Sequence, residues 1–598
     1  MGATRLKIID LKFGDQPLLS EDGDVGIIFN GEIYNHLEIR HHLEKCGHRF
    51  KSYSDTETVL HAFLEWDKEC FARLRGMFAI ALWSKSRQRI VLCRDRLGIK
   101  PLYILRKSGD LFFGSELKAL FSHPEIERRL SLAGLDCYLS LNYVCSPWTL
   151  VEGIEKLPPG SWLEWKDGQV SSESYWTLPS GPPTHWTLGS ATEQLDALMK
   201  SSVHEHLLAD VPLGVWLSGG VDSSSILHYA SNALSSRIKT FSVSFSGENF
   251  DETKYIHEVA RHYGTDHEEM DLSAKTNLRD AIEQFAYFSD EPNADAGALP
   301  VWFLSKLSKG SATVVLSGEG ADELFGGYVT YQANRFARHA RKVPAALRRT
   351  ALAAARLWPA TDQKIGFDYK VQRFLEGSFL NPRRAHVFWN GTFSESQKHS
   401  LVRRQLPASL DTILEEFSNL SPSGDSPEDF LRLDQKYYLT DDILTKSDRM
   451  SMAHSLEVRP PFLDHRIVEF AASLRGSLKI RGAQQKFILK QLMKDKLPRA
   501  VVQRKKIGFD IPVHEWLRGP LRNMMVEVID AGANEHPELF SPDVARKFVR
   551  LHLDRSANLG YHLWGLMILF LWMDKWQIQT NSCMPRETYV CEETGPYI

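Results

Sequence analysis

The run Val211-Pro-Leu-Gly-Val-Trp-Leu-Ser-Gly-Gly-Val-Asp-Ser-Ser-Ser225 constrains the chain more than any other stretch. Its apolar residues through Leu217 have the length of a buried strand, the glycines punctuate it, and a helix is predicted to open near Asp222. Gly219 and Gly220 carry no Cβ, so the backbone can take positive φ and press its N–H groups against a ligand. Ser223 and Ser224 then begin a helix whose unpaired amides and positive dipole end favour an anion. The predicted product is a phosphate nest. A P-loop would need a lysine before its Ser or Thr; Asp222 stands in that neighbourhood instead. An acid beside a phosphate cradle makes sense with Mg²⁺ between them. The competing reading is a plain glycine turn between a core strand and a helix.

A strand feeding a helix in this way predicts a parallel α/β sheet, in which ligands bind beyond the carboxyl ends of the strands. Further strand-like runs at 240–245 and 313–316 supply two more such ends. The first leads to Ser246-Gly247 and Phe250-Asp-Glu252. Val243 on it lines an adenine pocket or is simply core. The second leads to Ser317-Gly-Glu-Gly-Ala-Asp-Glu-Leu-Phe-Gly-Gly-Tyr328, where Glu319, Asp322 and Glu323 repel one another unless a cation or a base role offsets the cost. Downstream, Lys446 and Arg449 are phosphate contacts or else ion-paired with Asp442 and Asp448 on a helix face. The arginine-rich segment 335–356 reads as a basic solvent face rather than a nucleic-acid patch, because its alanines and leucines recur at helical spacing.

The first 180 residues differ. Short strand-like runs at 26–30, 77–83, 89–94, 102–106 and 111–114, with helical patterns at 36–45 and 56–66, predict an α+β domain around antiparallel sheets. Polar clusters end the apolar runs at Arg5, Asn30-Gly31-Glu32 and Ser54-Asp55-Thr56-Glu57. An arginine and an acid suit the two charged ends of a free amino acid. An Asn–Gly pair can offer a side-chain amide and a backbone N–H to a developing oxyanion. The alternatives are a hairpin turn at Asn30-Gly31 and a capping box at Ser54–Glu57.

Composition adds boundaries. At 598 residues the chain exceeds a single core. A net charge of −3 gives no global pull toward nucleic acid or an anionic membrane. Cys46, Cys70, Cys93, Cys137, Cys145, Cys583 and Cys591 contain no C-x-x-C pair, so no disulfide framework or zinc motif is indicated and a reducing cytoplasm fits. The N-terminus lacks a hydrophobic signal core, and the most apolar run, 563–573, is too short to span a bilayer and reads as a buried helix. A Pro/Gly/Ser-rich linker at 176–185 divides the chain.

Ser218-Gly-Gly-Val-Asp-Ser223 resembles the pyrophosphate-binding loop of the N-type ATP pyrophosphatases. With Ser317–Tyr328, the run Lys446-Ser-Asp-Arg-Met-Ser-Met-Ala-His-Ser-Leu-Glu-Val-Arg459 and Lys506-Ile-Gly-Phe-Asp510, it resembles the asparagine synthetase family. Arg5-Leu-Lys-Ile-Ile-Asp10, Phe29-Asn-Gly-Glu-Ile-Tyr-Asn35, Ser54-Asp-Thr-Glu57, Gly76-Met-Phe-Ala79 and Arg94-Asp-Arg-Leu-Gly-Ile-Lys100 look like that family's glutamine amidotransferase domain. The resemblance implies an N-terminal-nucleophile αββα domain at 1–180. It implies an N-type ATP pyrophosphatase parallel α/β domain with a helical C-terminal part at 186–575, and leaves 576–598 as a tail. It implies ATP and Mg²⁺ as cofactors, with aspartate and glutamine or ammonia as substrates, and leaves room for a homodimer. Leu217, Val243, Ser317 and Gly318 would contact the nucleotide. Ser218, Gly219, Gly220, Asp222 and Ser223 would hold pyrophosphate, Asp222 and Asp322 the metal, and Lys446 would face the phosphates. Glu319 would act at amide formation. Arg5, Asn30, Gly31, Glu32 and Asp55 would hold glutamine, with Asn30 and Gly31 as oxyanion hole.

Two departures stand out. The family's nucleophile is a cysteine at the mature N-terminus whose α-amino group serves as base; here the chain opens Met1-Gly2-Ala3. The expectation is a missing N-terminal segment or the use of free ammonia, with no glutaminase activity in the chain as written. Residues 290–300 carry acids and small residues where the best-known members bring Thr and Arg to the intermediate. They resemble relatives found with surface-polysaccharide genes. A sugar acid or peptide carboxylate is therefore an alternative acceptor, and a non-catalytic binding protein is the third reading.

Overall fold

The computed structural model describes residues 1–180, 184–245, 251–272, 278–358, 366–420, 426–504, 508 and 510–580. The predicted Ser246-Gly247 turn, Phe250, most of the 506–510 motif and residues 581–598 lie outside them.

In the first part the sheet follows from alternation. Strands Val25–Ile33, Gly76–Ser84, Arg89–Arg94, Ser161–Lys166 and Gln169–Ser174 pair antiparallel in that order, with Leu18–Leu19 at the far edge. One face buries Ile27, Phe29, Phe78 and Ile80 against Val59, Leu60 and Phe63 of helix Asp55–Trp66 and Ile39 and Leu43 of helix His36–Lys45. The other face buries Ala79, Ala81, Leu92 and Leu163 against Leu102, Ile104 and Leu157 of a second antiparallel sheet built on Tyr103–Lys107. Beyond that sheet, Tyr103 and Leu105 pack on helices Leu117–Leu120 and Leu132–Leu141. The layers are helix, sheet, sheet, helix, as the resemblance implies. The capping-box reading of Ser54–Glu57 holds by half. Ser54 Oγ accepts from Thr56 N at 3.1 Å, but Glu57 accepts from Lys51 N and Ser52 N instead. Asn30-Gly31 is no hairpin turn: both residues lie inside strand Val25–Ile33, opposite Ala79 and Phe78.

The second part is a parallel sheet in the order Asp266–Asp271, Lys239–Ser244, Leu213–Trp216, Val314–Leu316, Glu457–Arg459. The three predicted strands are present. The two outer ones escaped detection because Asp-His-Glu-Glu-Met-Asp and Glu-Val-Arg show no apolar run. Helix Gly560–Trp576 is apolar on every side and fully buries Trp564 and Trp572. It and residues of the first part belong to one continuous core, so the two parts are packed together rather than merely tethered. The linker docks as well: Thr184 N and Trp186 Nε1 both donate to Ser473, at the end of helix His465–Ser473. Segment 335–356 forms parts of helices Val329–Ala340 and Ala345–Ala355. Among the described residues no helix is long and apolar enough to cross a membrane.

Candidate functional site

The turn after Leu213–Trp216 is built as predicted at Gly219 but not at Gly220, which sits at φ −85° as the helix cap. Gly219 sits at φ +65°, and a Cβ there would lie 2.7 Å from Ile256 N, so only glycine lets the turn press against helix Thr253–Tyr263. Helix Val221–Ala233 starts at Gly220 without a side-chain cap, leaving its first amides for a ligand. Ser223 Oγ lies 3.1 Å from Ser218 Oγ and 3.2 Å from Ser218 N, which preorganises the loop.

The turn after Val314–Leu316 meets it directly. A Cβ on Gly318 would stand 2.8 Å from Ser223 N and 3.0 Å from Asp222 Cβ. The two turns therefore touch, and they open on one cavity of about 1820 Å³. Leu217, Ser218, Gly220, Asp222, Ser223, Val243, Ser317, Gly318, Glu319, Asp322 and Lys446 all line it. Gly219 does not; it faces the helix behind the loop.

Glu319 accepts from Ser317 Oγ at 2.7 Å and from Ser447 Oγ at 3.0 Å. Burial pushes its carboxyl above the usual range. Lys446 is ion-paired with Asp295. Burial alone would lower the ammonium's pKa, but Asp295 and Asp442 outweigh it and hold Lys446 charged. Arg449, read as a phosphate contact or a partner of Asp448, is neither. It is buried against Glu116 at 3.3 Å and the Ser115 carbonyl, while Asp448 pairs with Lys100 at 2.9 Å. Both arrangements join the two parts of the chain, because Lys100, Ser115 and Glu116 lie in the first domain and Asp448 and Arg449 on helix Thr445–Met452.

Lys486 was not foreseen. Its Nζ lies 2.5 Å from Asp222 Oδ2 and 2.6 Å from Asp322 Oδ1, so the two acids assigned to a metal converge on one cation. Burial would lower its pKa, and the two carboxylates reverse that. Carboxylates that converge on an ammonium present the oxygen donors that Mg²⁺ takes, so the residues fit the ion. Arg504 donates to the Gly219 carbonyl at 3.0 Å and pairs with Glu252. No local signature marks Lys486 or Arg504; the acid cluster alone hinted that a cation must stand nearby.

The acids of 290–295 have separate tasks. Asp290 accepts from the amides of Leu117 and Lys118, and Glu291 from Leu150 N and Lys156. Asn293 holds Asp442 at 2.7 Å, and only Asp295 of the acids here reaches the cavity.

In the first domain, Gly31 at φ +150° would drive a Cβ to 2.0 Å from the Met77 carbonyl. Asn30 Nδ2 donates to Ser115 Oγ at 3.2 Å. Asp55 accepts from Ile33 N and Thr56 N, and Glu32 from Arg459 Nη2 at 2.9 Å. Burial, then the neighbouring Asp55, pushes Glu32 well above the usual carboxylate range. Arg5 turns to the carbonyls of Ile9 and Asp10 and packs on Gly14.

A double antiparallel sandwich carrying an amide–glycine–acid strand, fused to a parallel sheet with a phosphate-type cradle, defines a two-domain amidotransferase ligase. Residues 194–577 match the family model described as Asparagine synthase, and residues 1–176 the one described as Glutamine amidotransferase domain. Asparagine synthetase (glutamine-hydrolyzing) 1 of Bacillus subtilis (strain 168) is 32% identical over 574 residues, 96% of this chain and 89% of that protein. A putative asparagine synthetase (glutamine-hydrolyzing) of Mycobacterium bovis is 31% identical over 586 residues, 96% of this chain and 88% of that one. Amidase chry2 of Gibberella zeae is 27% identical, covering 88% of this chain and 83% of its own. The chain belongs to the asparagine synthetase family.

Proposed function

We propose that the protein activates the side-chain carboxylate of aspartate with ATP and transfers ammonia to it, giving asparagine, AMP and pyrophosphate. The observation that carries this reading is the contact of Gly318 with Ser223 and Asp222, which puts the phosphate cradle and Glu319 on one cavity. The aspartate carboxylate attacks the α-phosphorus and pyrophosphate leaves into the amides of 218–223. Charge that builds on the leaving group is stabilised there more than in bound ATP. Ammonia then attacks the acyl carbon, AMP departs, and Glu319 takes the surplus proton; its raised pKa suits a general base. Lys446 and Lys486 face the phosphates. Asp222 and Asp322 would hold Mg²⁺, which when bound neutralises charge on the triphosphate. The ammonia comes from glutamine, bound by Arg5, Asn30, Gly31, Glu32 and Asp55, or from solution.

The names of the relatives favour aspartate over a sugar acid or peptide acceptor. ATP–pyrophosphate exchange tests the reading. Exchange that requires aspartate is the expected result; exchange driven equally by other carboxylic acids, or none at all, overturns it.

A further inference from the structure

On the face of the parallel sheet that helix Thr253–Tyr263 covers, three metal-ligating side chains converge outside the catalytic residues. Glu269 Oε2 lies 2.7 Å from His257 Nε2 and 3.8 Å from His267 Nε2, and one ligand atom from each residue falls within 4.8 Å of the others. Backbone periodicity sets this up. His267 and Glu269 alternate on edge strand Asp266–Asp271, opposite Thr240 and Ser242, so both project from one face. Helix Thr253–Tyr263 brings His257 across that face.

We propose that His257, His267 and Glu269 form a Zn²⁺ site with water as fourth ligand, which pins helix Thr253–Tyr263 to the edge strand. Two imidazoles and a carboxylate are the ligand set of an open tetrahedral zinc centre. His267 completes the group: its Nε2 has Ser242 Oγ at 3.1 Å and Glu269 Oε2 at 3.8 Å. That ring is too far from Glu269 for a hydrogen bond, yet faces the same oxygen. Its other nitrogen, Nδ1, lies 2.9 Å from Thr240 Oγ1, which in turn meets Thr265 Oγ1 at 2.8 Å. When the Thr240 hydroxyl accepts from Nδ1–H and donates to Thr265, Nε2 carries the lone pair, which the Ser242 hydroxyl at 3.1 Å shares until a metal takes it. The Thr240 bond is the outer contact that orients a metal-binding imidazole. The side chains of His257 and Glu269 are 49% and 21% exposed, which leaves an entry path.

The site has a bearing on the catalytic loop. His257 is next to Ile256, whose amide backs Gly219 at the phosphate turn. Ser242, 3.1 Å from His267 Nε2, lines the catalytic cavity. A metal here stiffens the support behind the loop without touching a reacting atom.

The test uses the full chain freed of metal by a chelator, titrated calorimetrically with Zn²⁺ alone, with Co²⁺ absorption as a probe of geometry. One site per chain and a tetrahedral cobalt spectrum are expected. His257→Ala and Glu269→Gln each weaken Zn²⁺ binding at least about tenfold and remove that spectrum. Glu269→Gln keeps a hydrogen-bond acceptor for His257, so its melting temperature without metal should match the parent, and only the parent should gain stability from Zn²⁺. Binding that survives both substitutions, or an octahedral cobalt spectrum in the parent, overturns the proposal.

Discussion

Arg459 donates from Nη2 to Glu32 at 2.9 Å, joining residues 427 positions apart across the two domains. The guanidinium also holds Glu457 at 2.8 Å and the carbonyls of His206 and Leu208, and it is fully buried. Its own carbonyl accepts from Ser317 N at the edge of the catalytic cavity. Replacing it strands two buried acids. Arg459→Met is expected to cost about 3–5 kcal/mol, read as a lowered urea midpoint, and adding Glu32→Gln should recover part of the loss. Equal loss in the single and double variants would show that the pair is not what Arg459 holds.

Lys486 neutralises Asp222 and Asp322 at the mouth of the cradle. Lys486→Met should slow aspartate-dependent pyrophosphate release by roughly 10²-fold, the scale for removing one electrostatic stabiliser. A rate within a few-fold of the parent would assign the lysine to folding alone.

Glu319→Gln separates the two chemical steps. Pyrophosphate formation should persist in part, while asparagine formation falls by about 10²–10⁴-fold for want of a general base. The role assigned to Glu319 does not survive if both products decline together.

Gly219→Ala probes the turn itself. The side chain meets Ile256 N in a backbone conformation at φ +65°, for a strain of order 1–3 kcal/mol. Nucleotide affinity should drop about tenfold or more, measured by equilibrium binding of an unhydrolysable ATP analogue. Unchanged affinity would mean the cradle tolerates displacement.

His206 is buried against Tyr34, and burial pulls its pKa from 6.5 to about 4. Between those values the unfolded chain binds a proton that the folded chain does not. The stability is fully present above about pH 6.5 and is lost as pH falls toward 4, at up to about 1.4 kcal/mol per pH unit. Thermal melts across that window should show the decline, and His206→Asn should flatten it.

The glycine turns, their strands and the order of the two domains were legible in the residues alone. These are local: the three strands next to the turns are strand-like runs in the sequence, and a turn at positive φ favours glycine. The same logic found helices His36–Lys45 and Gly560–Trp576 from periodicity and unbroken apolarity. Which charges meet was settled by packing. Lys486 with Asp222, Lys100 with Asp448, Arg459 with Glu32 and Asp295 with Lys446 come from distant segments. Their pairing depends on how whole elements pack, because an ion pair needs only proximity in space and leaves no periodic mark along the chain.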